Sequence, residues 1–212
     1  YLEGKFIYGS VGRNTERKRW DRLLRAFKIV AKECKDAVLI CFTDPRDDFD
    51  YAIDVQSLAK NLEVADKVFF PKDALLQRSI LTDDEMNHVF NGFDVHVSTA
   101  EREGFGLPIL ESMACGKPNI VVDYSAPPEI IGDAGIKVKV SDWNCHSAFN
   151  YKGALVSIPD FADAMILLYQ DDKLRRRLGK RAMKRAREKY DWQKCIIPIW
   201  KELLTTAWVQ EV

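Results

Sequence analysis

Short apolar runs alternate with stretches of helical periodicity along this chain, and that alternation constrains the fold more than any other feature. The runs are KFIYGSV (5–11), AVLICFT (37–43), KVFF (67–70), DVHVS (94–98), PNIVVD (118–123) and IKVKV (136–140). AVLICFT shows no polar–apolar alternation, as expected of a strand covered on both faces. Between the first two runs, Trp20, Leu23, Leu24, Phe27, Val30, Ala31 and Cys34 recur at helical spacing. A second helix is expected near 49–62. Thr82 and Glu85 have capping-box spacing before a third helix, whose apolar face is Met86, Val89, Phe90 and Phe93. Each parallel connection needs a crossover of about a dozen residues, which these helices supply. The expected fold class is α/β, a doubly wound, Rossmann-like parallel sheet. Such sheets take ligands at the carboxyl ends of their strands, where the loops 9–19 and 99–107 should both lie.

Residues 141–153 (SDWNCHSAFNYKG) read as an irregular excursion, and from about residue 158 the chain reads as helical to its end. With no internal repeat or low-complexity linker, 212 residues of 47% hydrophobic content read as one domain, 1–212, with a substantial core. The last helix carries Trp200, Leu203, Leu204 and Trp208. Two readings of it stay open: packing on this domain, or reaching towards another. Residues 173–189 hold ten Lys/Arg against one Glu, with Leu174, Leu178, Ala182, Ala186 and Tyr190 as an apolar stripe. The basic face is either simply solvated or attracted to an anionic membrane surface as a peripheral contact. No apolar run reaches the roughly 18 residues of a membrane span and no secretory signal pattern opens the chain, so a cytoplasmic location is expected. Cys34, Cys41, Cys115, Cys145 and Cys195 are scattered without a C-x-x-C pair, which fits reduced thiols. The histidines are isolated too, so no structural zinc is expected, and no nucleic-acid partner.

EREGFGLPILESMACGKP (101–118) places Glu103 and Glu111 eight positions apart around Gly104, Gly106 and Pro108. Glycine favours a turn and proline suits a first helical turn, so a helix should begin near Leu107. Glu103 then lies in the loop before it and Glu111 one turn inside. The free N–H groups and positive dipole end of that first turn favour a phosphate, which the glycines let approach. Two carboxylates would repel a phosphate, so they more plausibly accept hydrogen bonds from hydroxyls at either end of the same ligand. Phosphates in the middle and hydroxyls at both ends describe a nucleotide sugar. Gly12 and Arg13 follow the first strand and Lys18 follows five residues later, so a guanidinium fork and a compact ammonium can lean over the same strand ends.

With these residues in place, the sequence resembles the donor domain of retaining GT-B glycosyltransferases, the group that includes sucrose synthase, glycogen synthases and many mannosyltransferases. The resemblance covers about residues 5–192. It rests on GRNTERKRWDRLLRAF, on DVHVSTAEREGFGLPILESMACGKP with its E-x7-E pattern, on PPEII at Glu129, and on LGKRAMKRAREKYDW. It implies that Arg13 and Lys18 hold the diphosphate of a UDP- or GDP-sugar. It implies that the backbone from Gly12 and from Gly104, Phe105, Gly106 and Leu107 meets phosphate and sugar, and that Glu111 holds the ribose hydroxyls. Glu103 would contact the transferred hexose and act with Arg13 and Lys18 as the catalytic set. The base would lie against the loop near Phe70 to Asp73. No cofactor and no metal are implied, because the two cations take the metal's part against the leaving diphosphate.

Three departures stand out. Ser125-Ala126 occupies the place of a glycine pair, PKDALLQRSIL lengthens the connection before Thr82, and 141–153 reads as an insertion. Such enzymes also work between two domains. The implied N-terminal acceptor domain is not in this sequence, and a start at Tyr1, just before a core strand, reads as an excised domain that binds donor but transfers poorly. The rival readings are a metal-binding D-x-D at Asp48-Phe49-Asp50, a non-catalytic nucleotide-sugar module, and a sugar-nucleotide epimerase of the same fold. The cluster of Asp44, Asp47, Asp48, Asp50 and Asp54 also suits a helix start without any metal.

Overall fold

The computed structural model describes residues 2–46, 52–71, 81–146 and 151–209. Strands β1 (Phe6–Val11), β2 (Ala37–Phe42), β3 (Val68–Phe69), β4 (Val95–Ser98), β5 (Asn119–Val122) and β6 (Gly135–Val138) form one sheet in the order β3-β2-β1-β4-β5-β6. Every pairing in it is parallel. Between them run helices α1 (Trp20–Glu33), α2 (Val55–Asn61), α3 (Asp83–Asn91), α4 (Leu107–Ala114) and α5 (Pro127–Ile131). The α/β doubly wound sheet expected from the sequence is therefore present. Its order reverses between β1 and β4, which sets the ligand crevice beside the carboxyl ends of those two strands.

Strand geometry divides the core into two layers, because successive side chains point to opposite faces. On β5, Ile120 and Val122 join the cluster built on Trp20, Leu24 and Phe27 of α1, while Val121 joins Ile109 and Met113 of α4 on the other face. On β1, Tyr8 is fully buried and donates its hydroxyl to the Met165 carbonyl at 2.8 Å. Its neighbour Gly9 faces the other way, where a Cβ would fall 2.2 Å from the Phe93 ring. The capping box of α3 forms as the spacing predicts: the Glu85 amide donates to Thr82 Oγ1 and the Thr82 amide donates to Glu85 Oε2.

The expected irregular excursion is instead a second, two-stranded antiparallel sheet, β7 (Val140–His146) with β8 (Tyr151–Val156). A bulge between Val140 and Asp142 breaks the two-residue period that marks a strand in sequence. The residues 147–150 lie outside the described residues. Likewise the second helix is shorter than expected. It starts at Val55, capped by the Asp54 carboxylate on the Ser57 amide at 2.8 Å, and Asp47, Asp48 and Asp50 lie outside the described residues.

The carboxyl-terminal quarter is helical, through α6 (Ile158–Gln170), the basic α7 (Asp172–Lys189), a π turn (Trp192–Ile196) and α8 (Ile197–Val209). Helix α7 packs through Leu178, Gly179, Ala182 and Ala186. Part of its charge is structural, since Arg185 donates to the Ile130 and Glu129 carbonyls and Arg175 to the Leu168 carbonyl. Ile199, Trp200, Leu203 and Leu204 of α8 are exposed, so this helix does not bury its apolar face on the rest of the chain. The four cysteines Cys34, Cys41, Cys115 and Cys195 and the exposed Cys145 are free thiols.

Helix α7 passes close to the turn after α4. A Cβ on Gly179 would lie 2.3 Å from the Gly116 carbonyl oxygen, a backbone atom that cannot swing away. Gly179→Ala is expected to destabilise the domain by about 1–3 kcal/mol despite alanine's better helix propensity. Denaturant unfolding measures this, and an unchanged or raised stability would show that α7 does not sit against this turn.

Candidate active site at the β1/β4 switch point

The loop leaving β1 is fixed before it reaches α1. Asn14 is fully buried and donates to the Ile53 carbonyl at 2.7 Å, and the Trp20 indole N–H donates to the Arg13 carbonyl at 3.4 Å. A single 3-10 turn, Glu16–Lys18, then leads into Arg19, whose backbone is left-handed at φ 53°, ψ 46°. A non-glycine residue pays strain there, so something must hold it. Thr99 Oγ1 donates to the Arg19 carbonyl at 2.9 Å, and the Arg19 Nε donates to Glu101 Oε2 at 3.0 Å. Glu101 is wholly buried, and its own amide donates to the Arg17 carbonyl at 2.9 Å.

Two residues on, Glu103 closes the site. Its Oε1 lies 2.5 Å from Lys18 Nζ and its Oε2 lies 2.7 Å from Arg17 Nη1, with the Glu103 and Lys18 side chains only 9% and 11% exposed. The Glu103 amide donates to Ser125 Oγ at 3.0 Å, and Ser125 also sits in the left-handed region at φ 58°. Gly12 lies under Lys18, where a Cβ would fall 2.9 Å from its Cε. The loop glycines differ in role. Gly106 takes φ 101° as the N-cap of α4, whereas Gly104 needs no left-handed backbone and borders open space. Helix α4 starts at Leu107 with Pro108 in its first turn, and no side chain caps it. Its amide-rich end is therefore available to an anion.

Of the sequence-derived residues, the structure brings Gly12, Lys18 and Glu103 into one cluster, with Gly104, Phe105, Gly106 and Leu107 forming the approach to α4. Phe105 and Leu107 are exposed, and Phe105 meets Tyr190 edge-on at 6.0 Å. Arg13 is exposed on the β1 loop, and Glu111 lies on α4 without a described contact to Glu103. The Glu111 carboxyl is pushed above the usual range by partial desolvation and then by Asp83 at the start of α3. Of the loop expected to meet the base, near Phe70 to Asp73, residues 72 and 73 lie outside the described residues. Sequence reasoning missed Arg17, Arg19, Thr99, Glu101 and Ser125. The unusual density of charge in GRNTERKR and EREG was the signal that these loops answer one another.

One buried group lies just beneath. His96 of β4 makes a 2.7 Å hydrogen bond through Nδ1 to Asn119 Oδ1, so Nδ1 carries the proton. Burial pushes its pKa down to about 4; the Asn119 bond opposes this and the nearby Lys18 charge adds to it. Among the described residues no group of His, Cys, Asp and Glu could hold a metal ion, and no helix is long and apolar enough to cross a membrane.

A parallel sheet in this order, with paired charges at its switch point, has the architecture of the Rossmann-like domains of GT-B glycosyltransferases. Residues 2–185 match the family described as "Glycosyl transferases group 1", and the chain belongs to that family. The chain is 27% identical over 84% of its length to the N-acetyl-alpha-D-glucosaminyl L-malate synthase of Bacillus anthracis, of which it spans 40%. The C-terminal domain of the group 1 glycosyl transferase LpcC from Francisella tularensis is 25% identical, with a TM-score of 0.69 over 89% of this chain and 87% of that one. Anabaena HepE, solved in complex with UDP-glucose, shares the fold at 16% identity with a TM-score of 0.74, over 96% of this chain and 50% of that one.

The buried histidine makes stability depend on pH. The folded state refuses a proton that the unfolded chain takes up below its ordinary value of 6.5. Stability should therefore rise with pH between about 4 and 6.5, and the loss below that window should reach about 3 kcal/mol. Unfolding titrations across this range on the parent and on His96→Asn measure it. Equal slopes in the two proteins would remove His96 as the cause.

Proposed function

We propose that this chain is the donor-binding part of a retaining hexosyltransferase using a UDP- or GDP-sugar, with the acceptor-binding part in a separate N-terminal domain. The observation that carries this reading is the placement of Glu103 between Lys18 and Arg17, beside the uncapped start of α4 at the sheet's switch point. The family and the nucleotide-sugar complex of HepE support it.

In this reading the amides from Gly104 to Leu107 receive the distal phosphate. Lys18 keeps one of its three N–H donors on Glu103 and turns the others to the diphosphate. Arg13, exposed on the same loop, completes the charge. Glu103 accepts from hydroxyls of the hexose and Glu111 from those of the ribose. In the transfer step the bond from the anomeric carbon to the diphosphate oxygen breaks, and its electron pair leaves with the diphosphate. The acceptor oxygen bonds to that carbon on the same face, and its proton passes to the departing phosphate oxygen. Cations fixed in advance around the leaving group stabilise this charge without reorganisation, so no metal ion is required. A non-catalytic nucleotide-sugar module would share the binding and lack the transfer. An epimerase would convert a free nucleotide sugar with no acceptor.

Calorimetric titration with UDP, GDP and their sugar conjugates tests the reading. Arg13→Ala and Lys18→Ala should each weaken nucleoside diphosphate binding by about 1–3 kcal/mol, the scale of a lost charge-assisted bond. Chelation of divalent ions should leave the affinity unchanged. Full affinity in both variants, or dependence on manganese that is abolished by Asp48→Ala or Asp50→Ala, would refute it.

A further inference from the structure

Helix α7 carries ten cations, and the structure sorts them by what they touch. Arg175 and Arg185 turn inward, to the carbonyls of Leu168, Ile130 and Glu129. Arg176 pairs with Asp172 at 2.8 Å and Arg181 with Asp133 at 3.3 Å, while Lys189 ends the helix. The other five, Lys173, Arg177, Lys180, Lys184 and Arg187, are all exposed and stand at i, i+4, i+7, i+11 and i+14. At about 100° per residue and 1.5 Å of rise they form one line about 21 Å long, opposite the buried Leu178, Ala182 and Ala186. Among the described residues, no acid pairs with Lys173, Arg177, Lys180 or Arg187, and Lys184 has only Glu188 at 3.8 Å. Like charges one turn apart repel, so this line weakens the helix that carries it.

Lys180, Lys184 and Arg187 also wall an open groove of about 600 Å³ between α7 and the Cys115–Gly116 turn, with Arg176 and Glu188 on its border. That turn leads into β5, so the groove lies towards the amino ends of the strands, away from the donor crevice. Outside residues 173–189 the chain has nine more acids than cations, which balance the nine-charge excess within them. An extended anionic surface therefore attracts this face and repels the remainder, which orients the domain. Nucleic acid offers phosphates too, but α7 has no aromatic side chain to stack on bases and no amide or hydroxyl to read them. A bilayer asks only for charge, and a cluster of about four to eight cations on a helix is what anionic headgroups select. At the far end of the line, the turn carrying Trp192 folds back on α7, the Cys195 thiol donating to the Glu188 carbonyl at 3.1 Å. Trp192 is 65% exposed there, and an indole suits the headgroup layer.

We propose that the outer face of α7 docks on an anionic lipid bilayer, with Lys173, Arg177, Lys180, Lys184 and Arg187 against the headgroup phosphates. The helix lies flat on the surface, because its apolar side is already taken up by the domain core. Nothing in this docking requires a bound nucleotide sugar. Its geometry nonetheless brings the crevice close to the surface, since α7 ends at Tyr190, which meets Phe105 on the approach to α4.

Co-sedimentation of the whole chain with phosphatidylcholine vesicles, pure or mixed equally with phosphatidylglycerol, tests this. Binding to the mixed vesicles should exceed binding to the neutral ones by about tenfold or more, and high salt should abolish it. Lys180→Gln, Lys184→Gln and Arg187→Gln together should weaken it about a hundredfold, at about fivefold per charge. All three side chains are exposed, so the variant should fold. Arg25→Gln, Lys32→Gln and Lys35→Gln together, equally exposed and with the same net charge, should leave binding within about threefold of the parent. Equal binding of the parent to both vesicles, or equal weakening by the two triple variants, overturns the proposal. Tighter binding to duplex DNA at matched phosphate concentration also overturns it, and makes α7 a nucleic-acid face instead.

Discussion

Two carboxylates at the end of β4 hold the loop that follows β1, and the arrangement of the site depends on that bridge. Glu101 takes Arg19 from inside the domain and Glu103 takes Lys18 and Arg17 at its surface. The two contacts differ in kind. Glu101 is fully buried, so removing its charge would leave Arg19 only the looser contact to Glu16 at 3.9 Å, a change that costs up to about 3–5 kcal/mol. The outer cluster is half-open to water on the Arg17 side, where ion pairs contribute about 0–1 kcal/mol. The inner bridge is therefore a structural clamp. The outer one sets where three charged heads stand, and its open Arg17 side adds little to stability.

This division explains what sequence could and could not reveal. The sheet was legible because buried parallel strands are short apolar runs, and AVLICFT and PNIVVD admit few other readings. The start of α4 at Leu107 was legible from glycine and proline chemistry alone. Lys18, Glu103 and Gly12 were legible as members of one site, although their mutual contact was not, since their meeting depends on β1 and β4 being neighbours across a long crossover. Glu101 and Arg19 were invisible for a different reason. A buried ion pair leaves no periodic trace, and both residues look like surface charges in EREG and ERKR. Hairpin β7–β8 escaped because its bulge disrupts the alternation. For Arg13 and Glu111 the residues pointed to phosphate and hydroxyl binding and the resemblance named the partners, and the structure shows only that each stands exposed near the crevice.

Backbone strain follows the same map. Three non-glycine residues among those described adopt left-handed angles: Arg19, Glu63 and Ser125. Glu63 follows the end of α2 in a helix-terminating turn, an ordinary place for that geometry. The other two border the site, and each is tied to one of the glutamates: Arg19 through its guanidinium to Glu101, and Ser125 through its hydroxyl to the Glu103 amide. A left-handed L-residue costs about 1–2 kcal/mol, close to what one or two such hydrogen bonds return. The strain and its restraint thus nearly cancel, and the net result is placement instead of stability. At Ser125 this has a further consequence. Glycine there would relax the turn but release the amide of Glu103, so the serine keeps the acid on station beside the approach to α4. A loop with glycine at that position must fix its glutamate by other contacts. In this chain the serine hydroxyl and the hairpin's hold on Glu101, through the Ala154 amide, do that together.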